Sequence, residues 1–225
     1  MVVETSVTVP GPPRPPQDDE SPENGPHPDR KPGTSSRSGM PGHLEHAANL
    51  VLSENRRALN DVSWRAVTKL VTLISGADRV FVLGEGRSGL AVRMAAMRLM
   101  HLGLQVHVVG ETTTPPLSRG DVLIAVSGSG GTPGVVLVAE QVRAAGGQIA
   151  ALTTTPSSPL AAIAELVVAI PAASKHDHDS ESSAQFAGSL FEQSTLLLFD
   201  ALFHALSRDL GKTSEVLWAA HANLE

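Results

Sequence analysis

Five short apolar runs, rich in valine and isoleucine, follow one another between residues 80 and 170 and constrain the fold more than any other feature. Each is short enough to be a buried strand, and runs that are apolar on both faces are typical of a parallel sheet covered by helices on each side. Helical segments are predicted between most of them, and such alternation indicates an α/β fold with a doubly wound sheet. The predicted strands are 80–83, 106–109, 122–126, 149–152 and 166–170, and the predicted intervening helices are 88–103, 133–146 and about 158–164.

Further helices flank this alternation. Residues 43–75 carry apolar side chains at roughly helical spacing and predict one or two long helices. Two more are expected over about 186–210 and 212–222, with Gly211 as the stop between them. We therefore expect one folded domain over residues 42–225.

Residues 1–41 differ from this domain because they hold ten of the 16 prolines and few apolar groups. Such a composition predicts a disordered tail, since too little apolar surface is available to offset the entropy of ordering. A proline-rich ligand for a partner domain is the alternative.

Composition also excludes several classes of protein. The chain has no cysteine, which rules out a disulfide scaffold and a thiolate nucleophile. A net charge of −6 and the absence of tyrosine argue against a nucleic-acid binder. With no apolar stretch of 18 residues and no signal pattern, we expect a cytoplasmic protein without a membrane association.

The first predicted strand is followed by a glycine-rich segment, Gly84–Gly89, that reads GEGRSG. Its G-x-G-x-x-G spacing is the pattern of dinucleotide-binding turns, and Glu111 follows at the place of a ribose-binding acid. A dinucleotide-dependent oxidoreductase is therefore one hypothesis. A tight turn between strand and helix is the simpler explanation of the same glycines.

The third predicted strand is followed by a second such segment, Ser127–Thr132, that reads SGSGGT. Pro133 is typical of a first helical position, and Thr132 is then the predicted helix cap. A helix amino terminus with close glycine backbone and several hydroxyls suits a phosphate monoester. Two loops of this kind at strand ends favour a sugar phosphate over a dinucleotide.

Several segments resemble the sugar isomerase (SIS) domain family, and more narrowly the 6-phospho-3-hexuloisomerase family. The resemblance covers residues 43–225. The segments that carry it are GRSG at 86–89, MRLMHLG at 97–103, VGETTTP at 109–115, SGSG at 127–130, GSLFE at 188–192 and HANLE at 221–225. Gly131 stands where this family commonly has a glutamate, and the proline-rich tail is additional.

The resemblance implies a three-layer α/β sandwich with five parallel strands, a homotetramer, and no metal or organic cofactor. It also implies interconversion of D-arabino-3-hexulose 6-phosphate and D-fructose 6-phosphate in the ribulose monophosphate pathway of formaldehyde fixation. A non-catalytic SIS domain that senses a sugar phosphate is the alternative.

Three residues are candidates for catalysis. Glu192 precedes an apolar helical stretch, where a carboxylate can carry a proton between neighbouring carbons; stabilising the helix dipole is the other explanation. His101 and His221 are candidates to protonate the enediolate oxygens. A core or capping role for His101, and an exposed position for His221, are the alternatives. His221 could reach the site of a neighbouring subunit.

The predicted substrate-binding residues lie in the two glycine loops. Arg87 would neutralise negative charge, with a surface salt bridge as its alternative, and the serines and Thr132 would hold the phosphate. The set is Gly86, Arg87, Ser88, Ser127, Gly128, Ser129, Gly130 and Thr132. His176–Asp179 alternates histidine and aspartate, but an i, i+2 pair in a polar loop lacks further fixed ligands, so we expect no metal.

Overall fold

A computed structural model describes residues 40–173, 183–221 and 223. Within them the chain forms seven helices and five strands. In chain order these are α1 (Met40–Asp61), α2 (Trp64–Ser75), β1 (Val80–Gly84), α3 (Gly86–His101), β2 (Val106–Val108), β3 (Val122–Val126), α4 (Pro133–Ala144), β4 (Gln148–Thr153), α5 (Pro159–Ile163), β5 (Leu166–Ala169), α6 (Ser189–Asp209) and α7 (Ser214–Ala219).

The five strands form one parallel sheet in the order β2-β1-β3-β4-β5. The predicted doubly wound α/β fold is confirmed, and every strand end lies within one residue of its prediction. Central β3 is buried over all five residues, as its valine- and isoleucine-rich sequence requires.

Alternate strand residues point to opposite faces, and each face is covered by its own helices. On one face, Val82 and Ile124 belong to a core with residues of α2, α3 and α6, including Phe191 and Phe199. On the other face, Leu123 packs in a second core with α4 and α5. The result is a three-layer sandwich.

The helices differ from their predictions mainly at their ends. The predicted 43–75 region divides into α1 and α2 at Ser63, whose hydroxyl accepts a hydrogen bond from the backbone N–H of Ala66. Helix α1 begins at Met40, and residues 1–39 of the predicted tail lie outside the described residues. Helix α6 begins at Ser189 rather than near 186, because Ala187 adopts a left-handed backbone conformation with φ of 52°.

Among these described segments, no helix combines the length and apolar character that crossing a membrane requires.

Candidate active site

The carboxyl ends of β1 and β3 lie side by side at the point where the strand order reverses. The chain leaves β1 through α3 towards β2 on one side, whereas β3 continues through α4 towards β4 on the other. Open α/β sheets bind ligands in the crevice at such a switch point. A cavity of about 270 Å³ lies there, lined by Glu85, Gly86, Ser88, Val126, Ser127, Gly128, Ser129 and Thr132.

Six of the eight predicted binding residues therefore line one cavity. The other two, Arg87 and Gly130, are sequence neighbours of residues that line the cavity. Gly130 has φ of 61°, and a side chain there would collide with the hydroxyl of Ser158, so this corner requires glycine. The two loops are thus adjacent in space, as expected for segments that follow neighbouring parallel strands.

The G-x-G-x-x-G spacing has a packing explanation in this structure. A Cβ on Gly89 would lie 2.5 Å from the carbonyl oxygen of Gly84, so glycine lets the start of α3 approach the end of β1. The predicted loop is in fact the first turn of α3, where the Gly89 N–H donates to the Glu85 carbonyl oxygen at 3.1 Å. Glu111 lies beyond β2, which ends at Val108, and forms an ion pair with Arg93.

Thr132 occupies the predicted N-cap position of α4, but its side chain makes no capping hydrogen bond. Its hydroxyl instead lies 2.8 Å from the hydroxyl of Ser127. The hydroxyl of Ser129 accepts from the N–H of Gly131 at 3.2 Å. Three hydroxyls thus gather at the amino terminus of α4, where the helix dipole favours an anion.

Glu85 also lines this cavity and was not among the predicted site residues. It is the N-cap residue of α3 without a side-chain capping bond, and its carboxylate lies against Gly134 in the first turn of α4. Its place directly after β1, between two glycines, was the available signal. The direction of the Glu85 side chain could not be predicted from the sequence.

Glu192 is buried in the first turn of α6, where the sequence placed it, and Arg87 Nε donates to its Oε2. The carboxylate side chain is 6% exposed and the arginine 64% exposed. The preceding residue, Phe191, packs against Gly128 of the cavity. The Glu192–Arg87 pair therefore stands beside the hydroxyl-lined cavity.

The two candidate histidines lie together, but away from the cavity at the β1/β3 switch point. Their rings stack with centroids 5.4 Å apart, and the ring of Trp218 lies 5.5 Å from that of His221. His101 is the last residue of α3, 14 positions after Arg87, which is about 21 Å along a helix. Burial lowers the pKa of His101, and the nearby charges of His221 and Arg98 lower it further. One protomer therefore does not bring the histidines to Glu192.

An exposed apolar stripe runs along α3 between the Arg87–Glu192 pair and the two histidines. Leu90, Met94 and Met97 are 64%, 54% and 51% exposed, with the spacing of one helix face. These residues line a cavity of about 610 Å³ together with Arg93, Arg98, His101, Asp200 and His221. Large apolar side chains clustered on a surface typically mark a contact with another protein surface.

The His176–Asp179 segment lies outside the described residues. Within the part of the chain that is described, no three histidine, aspartate or glutamate side chains cluster so as to hold a metal ion.

The order of the strands, the cavity at their switch point and its hydroxyl-rich helix terminus define an open α/β protein with a candidate anion site. Residues 73–205 match the SIS domain family. The chain is 52% identical over 177 residues to 3-hexulose-6-phosphate isomerase of Mycobacterium gastri, covering 79% of this chain and 89% of that one. It is 39% identical over 176 residues to the Bacillus subtilis enzyme of the same name, covering 78% and 95%.

Comparison with a solved structure also finds a similarity to this group of proteins. A Methanococcus jannaschii protein, whose crystal structure was described as inferring a function of 3-hexulose-6-phosphate isomerase, matches with a TM-score of 0.67 and 30% identity. The match covers 82% of this chain and 99% of that protein. The chain belongs to the SIS domain family and, within it, to the group that contains these 3-hexulose-6-phosphate isomerases. The resemblance noted in the sequence is confirmed, and the dinucleotide hypothesis is set aside.

Proposed function

We propose that this protein is a 3-hexulose-6-phosphate isomerase that interconverts D-arabino-3-hexulose 6-phosphate and D-fructose 6-phosphate. The observation that carries the proposal is the buried Glu192 carboxylate, paired with Arg87 beside a hydroxyl-lined cavity at the β1/β3 switch point. Relatives that share 52% and 39% of their residues with this chain and bear that enzyme's name support it.

The substrate phosphate would bind at the amino terminus of α4. Ser127, Ser129 and Thr132 supply hydroxyl donors there, and the helix dipole favours the negative charge. Gly128 and Gly130 allow the backbone to approach, while Gly86 and Ser88 close the opposite wall. Holding the phosphate fixes the sugar chain, so that its reacting carbons lie within reach of one base.

Glu192 would act as the general base. Its carboxylate takes the proton from C2 of the 3-hexulose, which gives a cis-enediol, and returns a proton to C3. The hydroxyl proton moves from O2 to O3, so that the carbonyl passes from C3 to C2. Arg87 would stabilise the negative charge that develops on the enediolate oxygens. No metal or organic cofactor has a part in this proton transfer.

The histidines fit this mechanism only if subunits share their sites. His101 lies about 21 Å along α3 from Arg87 in one chain. His221 stacks on it, and both line the cavity of the exposed Leu90–Met97 stripe. A second copy seated on that stripe would bring them to its own Glu192, where they would exchange protons with O2 and O3. We therefore propose that subunits share their sites, within the homotetramer that the family resemblance implies.

The same proposal gives the protein a cytoplasmic place in the ribulose monophosphate pathway. There it would consume the product of formaldehyde condensation with ribulose 5-phosphate. A SIS domain that only senses a sugar phosphate would need no buried base. It is the weaker hypothesis because isomerase-named relatives align over nearly their whole length.

The decisive experiment supplies 3-hexulose 6-phosphate, generated from ribulose 5-phosphate and formaldehyde by a separate synthase, and follows fructose 6-phosphate. We expect rapid turnover that falls by about 10²–10⁴-fold in Glu192→Gln. Asp121→Asn is the matched control, since Asp121 is also a buried carboxylate paired with an arginine but lies at the amino end of β3. Bound sugar phosphate without turnover would instead indicate the sensor.

A further inference from the structure

Two adjacent buried polar residues of α1 have no part in the mechanism above. Glu54 is 6% exposed and Asn55 5% exposed, although neither lines the candidate active site. Burying a carboxylate costs free energy unless it is hydrogen-bonded, so the partners of Glu54 indicate its role. Both residues turn towards the segment that leads into α6.

Glu54 binds the beginning of that segment through both carboxylate oxygens. Oε1 accepts from the backbone N–H of Ala184 at 2.8 Å. Oε2 accepts from the hydroxyl of Ser183 at 2.7 Å and from Nε2 of Gln185 at 3.0 Å. Burial opposes ionisation, but these hydrogen bonds and the charge of Arg57 hold the pKa of Glu54 below its usual value.

Asn55 binds α6 just beyond the candidate base. Its Nδ2 donates to Oε1 of Gln193 at 2.6 Å, and its Oδ1 accepts from the hydroxyl of Ser194 at 3.1 Å. Its Nδ2 also donates to the carbonyl oxygen of Val51, which fixes the side chain on α1. Neighbouring residues of one helix thus hold the chain on both sides of Glu192.

The backbone between these two anchors is strained. Ala187 has φ of 52°, the only positive φ of a non-glycine residue in the described ranges, and it directly precedes the N-cap residue Gly188. Such conformations persist where the surroundings fix the chain, and they cluster at functional sites. Here the fixed ends are the Glu54 contacts and the first turn of α6.

We propose that Glu54 is a positioning residue for Glu192. By holding residues 183–185 it sets where α6 begins, and so where the carboxylate of its first turn lies relative to the cavity. Asn55 completes the same arrangement from the other side. This inference rests on the proposed isomerase function, and it adds a residue more than 130 positions away in the chain that acts without touching the substrate.

The test compares Glu54→Gln with the wild-type protein and with Asp121→Asn. An amide at position 54 removes the negative charge and replaces one acceptor oxygen by a donor, which weakens the hold on residues 183–185. Asp121 is likewise a buried carboxylate, accepting from Arg79 and Ser118, but it lies at the opposite end of the sheet. Both substitutions are expected to lower stability, and only one of them disturbs α6.

Two readouts separate positioning from general stability, measured where every variant remains folded. Hydrogen exchange of the amides in residues 184–192 should become faster in Glu54→Gln and stay unchanged in Asp121→Asn. The kcat for 3-hexulose 6-phosphate should fall by about 10- to 100-fold, because misplacing a catalytic group by about 1 Å costs that much. KM should change less than threefold, since the phosphate loops are untouched.

Ser183→Ala is a milder variant that removes one hydroxyl donor to Glu54, and it should give a smaller change in the same direction. It keeps the test decisive if Glu54→Gln does not fold. Normal kcat in both variants, or unchanged exchange at 184–192, would overturn the positioning role. An inactive wild-type protein would overturn the proposed function and the positioning role with it, whereas the exchange result would still report whether Glu54 holds the segment.

Discussion

Arg87 donates from Nε to Oε2 of Glu192, which joins the first turns of α3 and α6 although the two residues are 105 positions apart. The carboxylate is buried, whereas the arginine is largely exposed. In the proposed mechanism the pair therefore supplies a buried base and a cation that remains open to the substrate.

Replacing Arg87 should impair turnover in a protein that still folds. Arg87→Met keeps most of the side-chain length but removes the charge, and we expect kcat to fall by about 10²-fold, as for loss of a donor to a developing oxyanion. The free energy of unfolding should fall by about 1–3 kcal/mol, because the buried Glu192 carboxylate loses a charged donor. Steady-state kinetics and urea unfolding measure the two quantities. Arg143→Met, exposed near the end of α4, is the control. Equal kcat in the two variants would contradict the role of Arg87.

Two neighbouring glycines of the second loop should respond very differently to alanine. At Gly130 the backbone is left-handed and a Cβ would collide with Ser158, so Gly130→Ala should cost about 1–3 kcal/mol. At Gly131 the nearest atom to a new Cβ is 3.9 Å away, and Gly131→Ala should cost less than about 0.5 kcal/mol. Urea unfolding monitored by circular dichroism tests the contrast. Similar losses in both variants would show that this corner does not require glycine.

The exposed stripe on α3 should govern association. Met94→Glu places a charge in the middle of the stripe, and burying that charge against a second copy would cost several kcal/mol. Sedimentation equilibrium should show a tetramer for the wild-type protein and smaller species for this variant. Leu137→Glu, on α4 across the sheet and 57% exposed, serves as the comparison. A tetramer that survives Met94→Glu would place the subunit contact elsewhere.

The buried histidine should make stability depend on pH. Because the folded protein lowers the pKa of His101 below 6.5, the unfolded chain binds more protons once the pH falls below that value. The free energy of unfolding should therefore decrease as the pH falls from about 6.5 towards 5, and His101→Gln should flatten this dependence. Urea unfolding at a series of pH values measures it. Parallel curves for the two proteins would contradict the effect.

The sequence predicted the sheet well because its signal is local. Buried parallel strands must be apolar on both faces, and the runs around Val82 and Ile124 meet that requirement over their whole length. The proximity of the two glycine loops was equally predictable, since loops that follow adjacent parallel strands meet at one edge. The position of Thr132 was predicted correctly, but its hydroxyl bonds Ser127 instead of capping the helix.

What the sequence did not show depends on side-chain directions and on distant packing. Nothing local to Glu85 indicates that its carboxylate turns towards α4, and nothing near Glu54 indicates that it holds residues far along the chain. The distance between His101 and Glu192 follows from the pairing of Glu192 with Arg87 at the other end of α3, which only the packed structure reveals. Whether a second subunit closes that distance is the question that the Met94 variant addresses.

The contact between α1 and α6 also sets an order of events during synthesis. Asn55 precedes its hydrogen-bond partner Gln193 by 138 residues in the chain. At about 5–20 residues per second, α1 emerges roughly 7 to 28 s before the helix that it packs against. Both glycine loops are also made before Glu192. A nascent chain thus contains both loops of the candidate anion site before the proposed base is made, and the core that α6 completes must form last.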